Sequence, residues 1–200
     1  ITTSGLATLN SATINNGKLV SNGGISATNS IVDVNLSISG NNITLTGSTF
    51  KKTSYIIKTG ATTMFCGGNI FEKPLHLTNS ASANLYFGYI NPDTFKDSVI
   101  SSVSSSSVIY FAYSSANNVF EGFTRFERTS SATSNGFFFC QGNSNASVVF
   151  QSDVELGSSS GTTQIGVEFT RNSVFQSGAS IKTSAIGWAG SKLNLNSVTV

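Results

Sequence analysis

A phenylalanine returns along the chain in a shared context. It closes Ser48-Thr49-Phe50, Asn69-Ile70-Phe71, Asp93-Thr94-Phe95, Asn118-Val119-Phe120, Val148-Val149-Phe150 and Ser173-Val174-Phe175. Successive markers are 21, 24, 25, 30 and 25 residues apart. Self-similarity at periods of roughly 20–50 residues is the mark of stacked repeats, in which each unit buries its apolar face only against its neighbours.

Columns read relative to the marker test this. Four residues on stand Ser54, Leu75, Val99, Thr124, Val154 and Ala179; six on stand Ile56, Leu77, Ser101, Phe126, Leu156 and Ile181. These positions are mostly apolar. The odd offsets are polar: Lys51, Glu72, Lys96, Glu121, Gln151 and Gln176 at one, and Tyr55, His76, Ile100, Arg125, Glu155 and Ser180 at five. A period of two is a strand with one face buried. Offset two is polar and breaks the alternation, which marks a bend or a bulge.

A second strand precedes each marker. Its inward columns are Thr63, Leu85, Ile109, Phe137, Val167, Ile186 and Phe65, Phe87, Phe111, Phe139, Phe169, Trp188. The next column is small: Cys66, Gly88, Ala112, Cys140, Thr170 and Ala189. A small residue beside a bulky one suits a tight corner.

Together these columns predict an all-β parallel β-solenoid (β-helix) of about 25 residues per coil. Residues 1–200 form a single segment, clearest over 43–200. The first 49 residues lack the Phe but keep strand patterns at Leu6 to Leu9, Lys18 to Val20, Ile31 to Leu36 and Ile43 to Leu45, giving about eight coils in all. Ser101 to Ser107 and Ser158 to Ser160 read as turns. An ordinary β-sandwich, which also has short strands between turns, is the alternative. Neither end carries a recognisable cap, so the segment is expected to belong to a longer chain or to pack its ends on partners.

Composition narrows the rest. Ser, Thr, Asn and Gly number 35, 22, 20 and 19, while only 10% of residues are charged. Such a chain resembles low complexity, but 55 Leu, Ile, Val and Phe residues are too many for disorder. Helix formers are sparse. No apolar run approaches the ~18 residues of a membrane helix, and no basic-then-apolar leader is visible. A net charge of +2 without clustered Lys or Arg makes nucleic acid a poor partner.

The chain offers little for chemistry. Lys51, Glu72, Lys96 and Glu121 alternate in sign, so an in-register stack sets opposite charges side by side. Asn69, Asp93 and Asn118, two residues before the marker, are placed to bond backbone at a turn. His76, the one histidine, lies on an outward position with no metal-binding spacing. The nearest carboxylate pair is Asp153 and Glu155; Glu127 and Arg128 adjoin at a turn. A polysaccharide-cleaving solenoid needs converging acids, and no catalytic, cofactor-binding or metal-ligating residue is assigned. Cys66 and Cys140 fall in one column three coils apart, about 14 Å at the stacking distance. That is beyond the ~7 Å Cα limit of a disulfide, so two core thiols are expected. Thr44-Leu45-Thr46 is a triplet of the kind that contacts ice, but no Thr column repeats. Tyr86, Tyr110 and Phe138 form an outward aromatic column with Tyr89 and Tyr113 nearby. They are a candidate contact face or, equally, support for the ladder.

The order Ile43-Thr44-Leu45-Thr46-Gly47-Ser48-Thr49-Phe50, Ile57-Lys58-Thr59-Gly60-Ala61-Thr62, Gly67-Gly68-Asn69-Ile70-Phe71 resembles a repeat of very long secreted surface proteins of Bacteroidota. So do Asn91-Pro92-Asp93-Thr94-Phe95, Ile109-Tyr110-Phe111-Ala112-Tyr113 and Asn117-Asn118-Val119-Phe120. The resemblance covers about residues 43–156. It implies an extracellular, adhesin-like or filament-forming cell-surface protein without catalysis or cofactor. Its partners would be flanking repeats of the same chain, a homo-oligomer or filament, and glycans or cell-surface structures. It also implies O-glycosylation at an Asp97-Ser98-Val99 site, with Ser98 as acceptor. A polysaccharide-binding or -cleaving tailspike-like helix and an ice-binding solenoid are the alternatives.

Overall fold

The computed structural model describes residues 1–104, 106–129, 136–158, 166–183 and 192–199. It is an all-β parallel solenoid. The marker strands Thr49–Phe50, Ile70–Phe71, Thr94–Phe95, Asn118–Phe120 and Val148–Phe150 stack in register, continued by the end of Gly166–Phe175. Ile14 and Val32 extend the column below Phe50. Eight positions therefore align: Ile14, Val32, Phe50, Phe71, Phe95, Phe120, Phe150 and Phe175. The first two spans are 18 residues each, shorter than the ~25 expected, because those coils lack the insertions that later coils carry before the marker.

Each coil from Phe50 onward has three strands where the sequence suggested two. The polar position at offset two is a corner. It separates the marker strand from Ser54–Lys58, Leu75–Asn79, Val99–Val103, Thr124–Arg128, Val154–Ser158 and Ile181–Thr183. The third ladder is Met64–Phe65, Leu85–Tyr86, Ile109–Phe111, Phe137–Phe139, the start of Gly166–Phe175, and Lys192–Thr199. On the N-terminal side this face is a three-stranded sheet of Ala7–Asn10, Gly24–Thr28 and Asn42–Thr46. Gly24–Thr28 carries no strong pattern beyond Ile25 and Ala27, yet both are fully buried.

Four readings need correction. Met64 pairs with Leu85 and Phe65 with Tyr86, where the sequence columns set Thr63 against Leu85 and Phe65 against Phe87, so the coil before Phe71 is shifted by one. Ile181 and Lys182 pair with Val154 and Glu155, because Gln176 to Ser180 form a wider turn than elsewhere. Val167 and Phe169 pair with Leu193 and Leu195; Ile186, Trp188 and Ala189 lie outside the described residues. Ser101 and Ser102 belong to a strand rather than a turn: they pair with Leu77 and Thr78 on one side and Phe126 and Glu127 on the other. Two flanking strands override the low β-propensity of serine.

The interior is aromatic. Marker rings stack along the axis, Phe50–Phe71 at 4.8 Å, Phe95–Phe120 at 4.5 Å and Phe150–Phe175 at 4.9 Å, all nearly parallel. Phe87, Phe111, Phe139 and Phe169 make a second stack. The two stacks meet edge-to-face, at 82° for Phe95–Phe111 and 85° for Phe150–Phe169. Both geometries suit ring quadrupoles.

The corner before the marker is left-handed. Ser11, Asn29, Gly47, Gly68, Asn117 and Asn172, each three residues before a marker position, have φ between 43° and 77°. Gly and Asn tolerate this region best, which explains their recurrence there. The small column is a second such corner, with φ of 62°, 51° and 57° at Gly88, Ala112 and Cys140.

Candidate functional site

The outward column of the third ladder gathers the expected aromatic face. Tyr86 and Tyr110 stack at 4.4 Å and 3°, and Phe138 continues the stack at 5.3 Å. Phe65, read from the sequence as inward, extends the stack outward from Tyr86 at 5.0 Å and is 42% exposed. Tyr89 and Tyr113, from the turns that follow, stack on each other at 5.9 Å. Tyr113 sets its edge against Tyr86 and Tyr110. Ring faces are thus largely spent on neighbouring rings, and the stripe offers edges and phenol oxygens outward. Burial among these tyrosines pushes the Tyr110 phenol up to about 12. At the Phe65 end, Phe65, Tyr89 and the 74%-exposed Ile90 border a hollow of about 240 Å³ floored by Cys66 and Gly67.

The polar column before the marker does more than close a turn. Asn69, Asp93 and Asn118 are buried, and each side-chain oxygen accepts the backbone N–H of the preceding coil. Asn69 N–H donates to Asp93 Oδ1 at 2.8 Å, and Asp93 N–H donates to Asn118 Oδ1 at 2.9 Å. Ser48 and Ser30 carry the same ladder down. Ser48 N–H donates to Asn69 Oδ1, Ser30 N–H to Ser48 Oγ and Ala12 N–H to Ser30 Oγ, at 3.1–3.2 Å. The serines escaped the sequence reading because a serine resembles any turn residue; only the register reveals them.

Asp93 also accepts Gly88 N–H at 2.6 Å and Asn69 Nδ2 at 3.0 Å. Burial still pushes its carboxyl up to about 6, because these bonds offset only part of the desolvation. Cys66 and Cys140 are buried free thiols. They sit in different columns, Cys66 beside Phe87 and Cys140 beside Ala112. Burial raises both, Cys140 to about 12.

The remaining charges serve the scaffold. Lys96 and Glu72 pair at 3.8 Å, the one ion pair of the expected ladder among the described residues. Lys51 and Glu121 hold the same outward positions at its ends. Asp153 and Glu155 do not face each other as an acid pair: Lys182 binds Asp153 and holds its carboxyl below the usual range, and Arg125 binds Glu155 at 3.1 Å. Glu127 and Arg128 lie in a strand, not a turn; Glu127 meets Arg125 and Arg128 points inward, fully buried. Lys58 is also fully buried. Its ammonium donates to Gly60 O at 2.7 Å, and burial lowers its pKa. His76 stacks on Tyr55 at 4.4 Å.

Two further surfaces emerge. Ser98 is half-buried beside Asp97, whose carboxylate accepts the Ser98 N–H at 2.7 Å. On the N-terminal sheet, Thr8, Ser26 and Thr44 align in one column and Asn10, Thr28 and Thr46 in the next. The sequence showed no such column, because the 18-residue spans carry no marker Phe to align them. Among the described residues no group of three His, Cys, Asp or Glu gathers as a metal site, and no helix is long and apolar enough to cross a membrane. Comparison with family models, with curated proteins and with solved structures finds no match to this chain.

Proposed function

We propose that the chain is a structural and adhesive segment of an extracellular rod or surface appendage, meeting cells, prey or other substrates through its faces without catalysis. The observation that carries this reading is the in-register interior from Ile14 to Phe175, with rings stacked from Phe50 onward and a polar ladder running from Ser30 to Asn118. In such a stack a stiff rod is lengthened by repeating one coil, since no closed core limits it. The acids support the same reading: Asp93 is built into the ladder, and Asp33, Glu72, Asp153 and Glu155 are each held by a cation. The contact surface in this reading is the stripe of Phe65, Tyr86, Tyr89, Tyr110, Tyr113 and Phe138.

The test is retention of beads coated with the chain on cells and on immobilised glycans. Tyr86→Ser with Tyr110→Ser should cut retention at least fivefold while circular dichroism stays unchanged. Full retention by the folded variant would exclude the stripe, and release of reducing sugar from glycans would replace the structural reading with an enzymatic one. A second reading, an ice-contacting face, draws on the aligned hydroxyls of Thr8, Ser26, Thr28, Thr44 and Thr46. Thermal hysteresis that disappears in Thr28→Lys and Thr44→Lys would favour it.

A further inference from the structure

The marker face presents two outward columns side by side, one on each flank of the buried marker. The first is β-branched throughout: Thr13, Ile31, Thr49, Ile70, Thr94, Val119, Val149 and Val174. The second, in the same order, is Asn15, Asp33, Lys51, Glu72, Lys96, Glu121, Gln151 and Gln176. Neither column is absorbed by the adhesive reading.

The order of charges has a symmetry. Reversed against itself at full overlap, the second column sets Lys51 against Glu121 and Glu72 against Lys96. It also sets Asp33 against Gln151 and Asn15 against Gln176, so no like charges meet. A slip of one coil in either direction places Lys51 against Lys96, or Glu72 against Glu121. At offset two, full overlap also brings Lys73 opposite Asp97. Turning one copy over about an axis perpendicular to the rod, in the plane of contact, keeps each column over its own counterpart and reverses the coil order. The β-branched columns then meet each other as well. Parallel copies related by a two-fold axis along the rod would instead lay charged residues over Ile70 and Val119.

We infer that this face is a self-complementary surface on which a second copy of the chain docks antiparallel. The two-fold axis passes between the Phe71 and Phe95 coils, where Glu72 and Lys96 of both copies form a four-charge cluster. The face is about 12 Å wide and about 34 Å long at the stacking distance, so it covers roughly 400 Å² per copy. That is about half of a standard stable interface, and the association is accordingly weak, salt-sensitive and suited to lateral bundling. The inference stands independently of the adhesive reading.

Sedimentation velocity at increasing concentration tests it. One variant carries Lys51→Glu with Lys96→Glu; another carries Glu72→Lys with Glu121→Lys. Each alone should weaken association at least tenfold, and an equimolar mixture should restore it as a heterodimer, with circular dichroism confirming the fold of both. Wild-type chain that stays monomeric to about 1 mM, or variants that associate as wild type, would overturn the inference. Orientation has its own readout. Lys51→Cys mixed with Glu121→Cys should form a disulfide-linked dimer under mild oxidation, whereas Lys51→Cys alone should not. Self-linkage of Lys51→Cys, or linkage of Lys51→Cys to Thr49→Cys, the pair that the parallel two-fold would bring together, would overturn it equally.

Discussion

Phe120→Ala is the sharpest probe of the interior. Phe120 is buried at 1% exposure between Phe95 at 4.5 Å and Phe150 at 4.9 Å, with Phe111 edge-on at 5.4 Å. Truncation removes the transfer energy of the ring and leaves a cavity that two flanking coils, fixed by backbone pairing, cannot close. Phe→Ala in a core costs about 3–5 kcal/mol, and the upper half of that range is expected here because rings are lost on both axial sides. Phe175→Ala, whose ring partners among the described residues are Phe150 and Phe169, should fall in the lower half. Phe123→Ala, at a 38%-exposed position, should cost under about 1.5 kcal/mol. Urea unfolding followed by circular dichroism gives all three. Because stacked repeats couple mainly through neighbours, Phe120→Ala should also lower the m-value as the halves of the rod unfold separately. If Phe120→Ala cost no more than Phe123→Ala, the column would not be a stack and the reasoning would fail.

The buried carboxyl of Asp93 sets a pH dependence. Its folded pKa of about 6 lies above the unfolded value of ~3.9. The native state therefore binds the extra proton between these values, and stability from this group is greatest below about pH 4, falling until about pH 6; two pKa units correspond to roughly 3 kcal/mol. Asp93→Asn should abolish that slope in a stability-versus-pH series, whatever its absolute stability. Ala112→Gly should stabilise by about 0.5–1 kcal/mol in thermal unfolding, since Ala112 holds φ 51°. Gly88→Ala should destabilise, because its Cβ would lie 2.4 Å from Asn118 Oδ1. Cys66 and Cys140, buried and with thiols raised, should react with a thiol reagent only at the rate of unfolding.

The marker columns were legible in the sequence because stacking demands a ring, a small corner and an alternation at fixed offsets in every coil. Phe50 to Phe150 therefore aligned without the structure. Legibility failed where spacing varied. The loop before Phe71 slid Phe65 by one place and moved it from core to surface, as any single-residue slip must in a strand. The turn at Gln176 to Ser180 displaced Ile181 by two. The polar ladder was half visible: Asn69, Asp93 and Asn118 stand out by type, while Ser30 and Ser48 join it by accepting N–H groups from coils 18 residues away, a pairing that only the register shows. The aromatic face was foreseen as Tyr86, Tyr110 and Phe138, but that their rings cover one another's faces follows from stacking distances alone.

The central claim is that residues 125 apart in sequence lie only five coils apart in space. Spin labels at Lys51→Cys and Gln176→Cys measure this by pulsed dipolar spectroscopy, with unlabelled chain in excess to suppress signals between copies. Five steps of about 4.8 Å predict a narrow distribution centred near 24 Å, widened only by the label arms. A centre more than 10 Å away, or a broad distribution, would contradict the in-register solenoid.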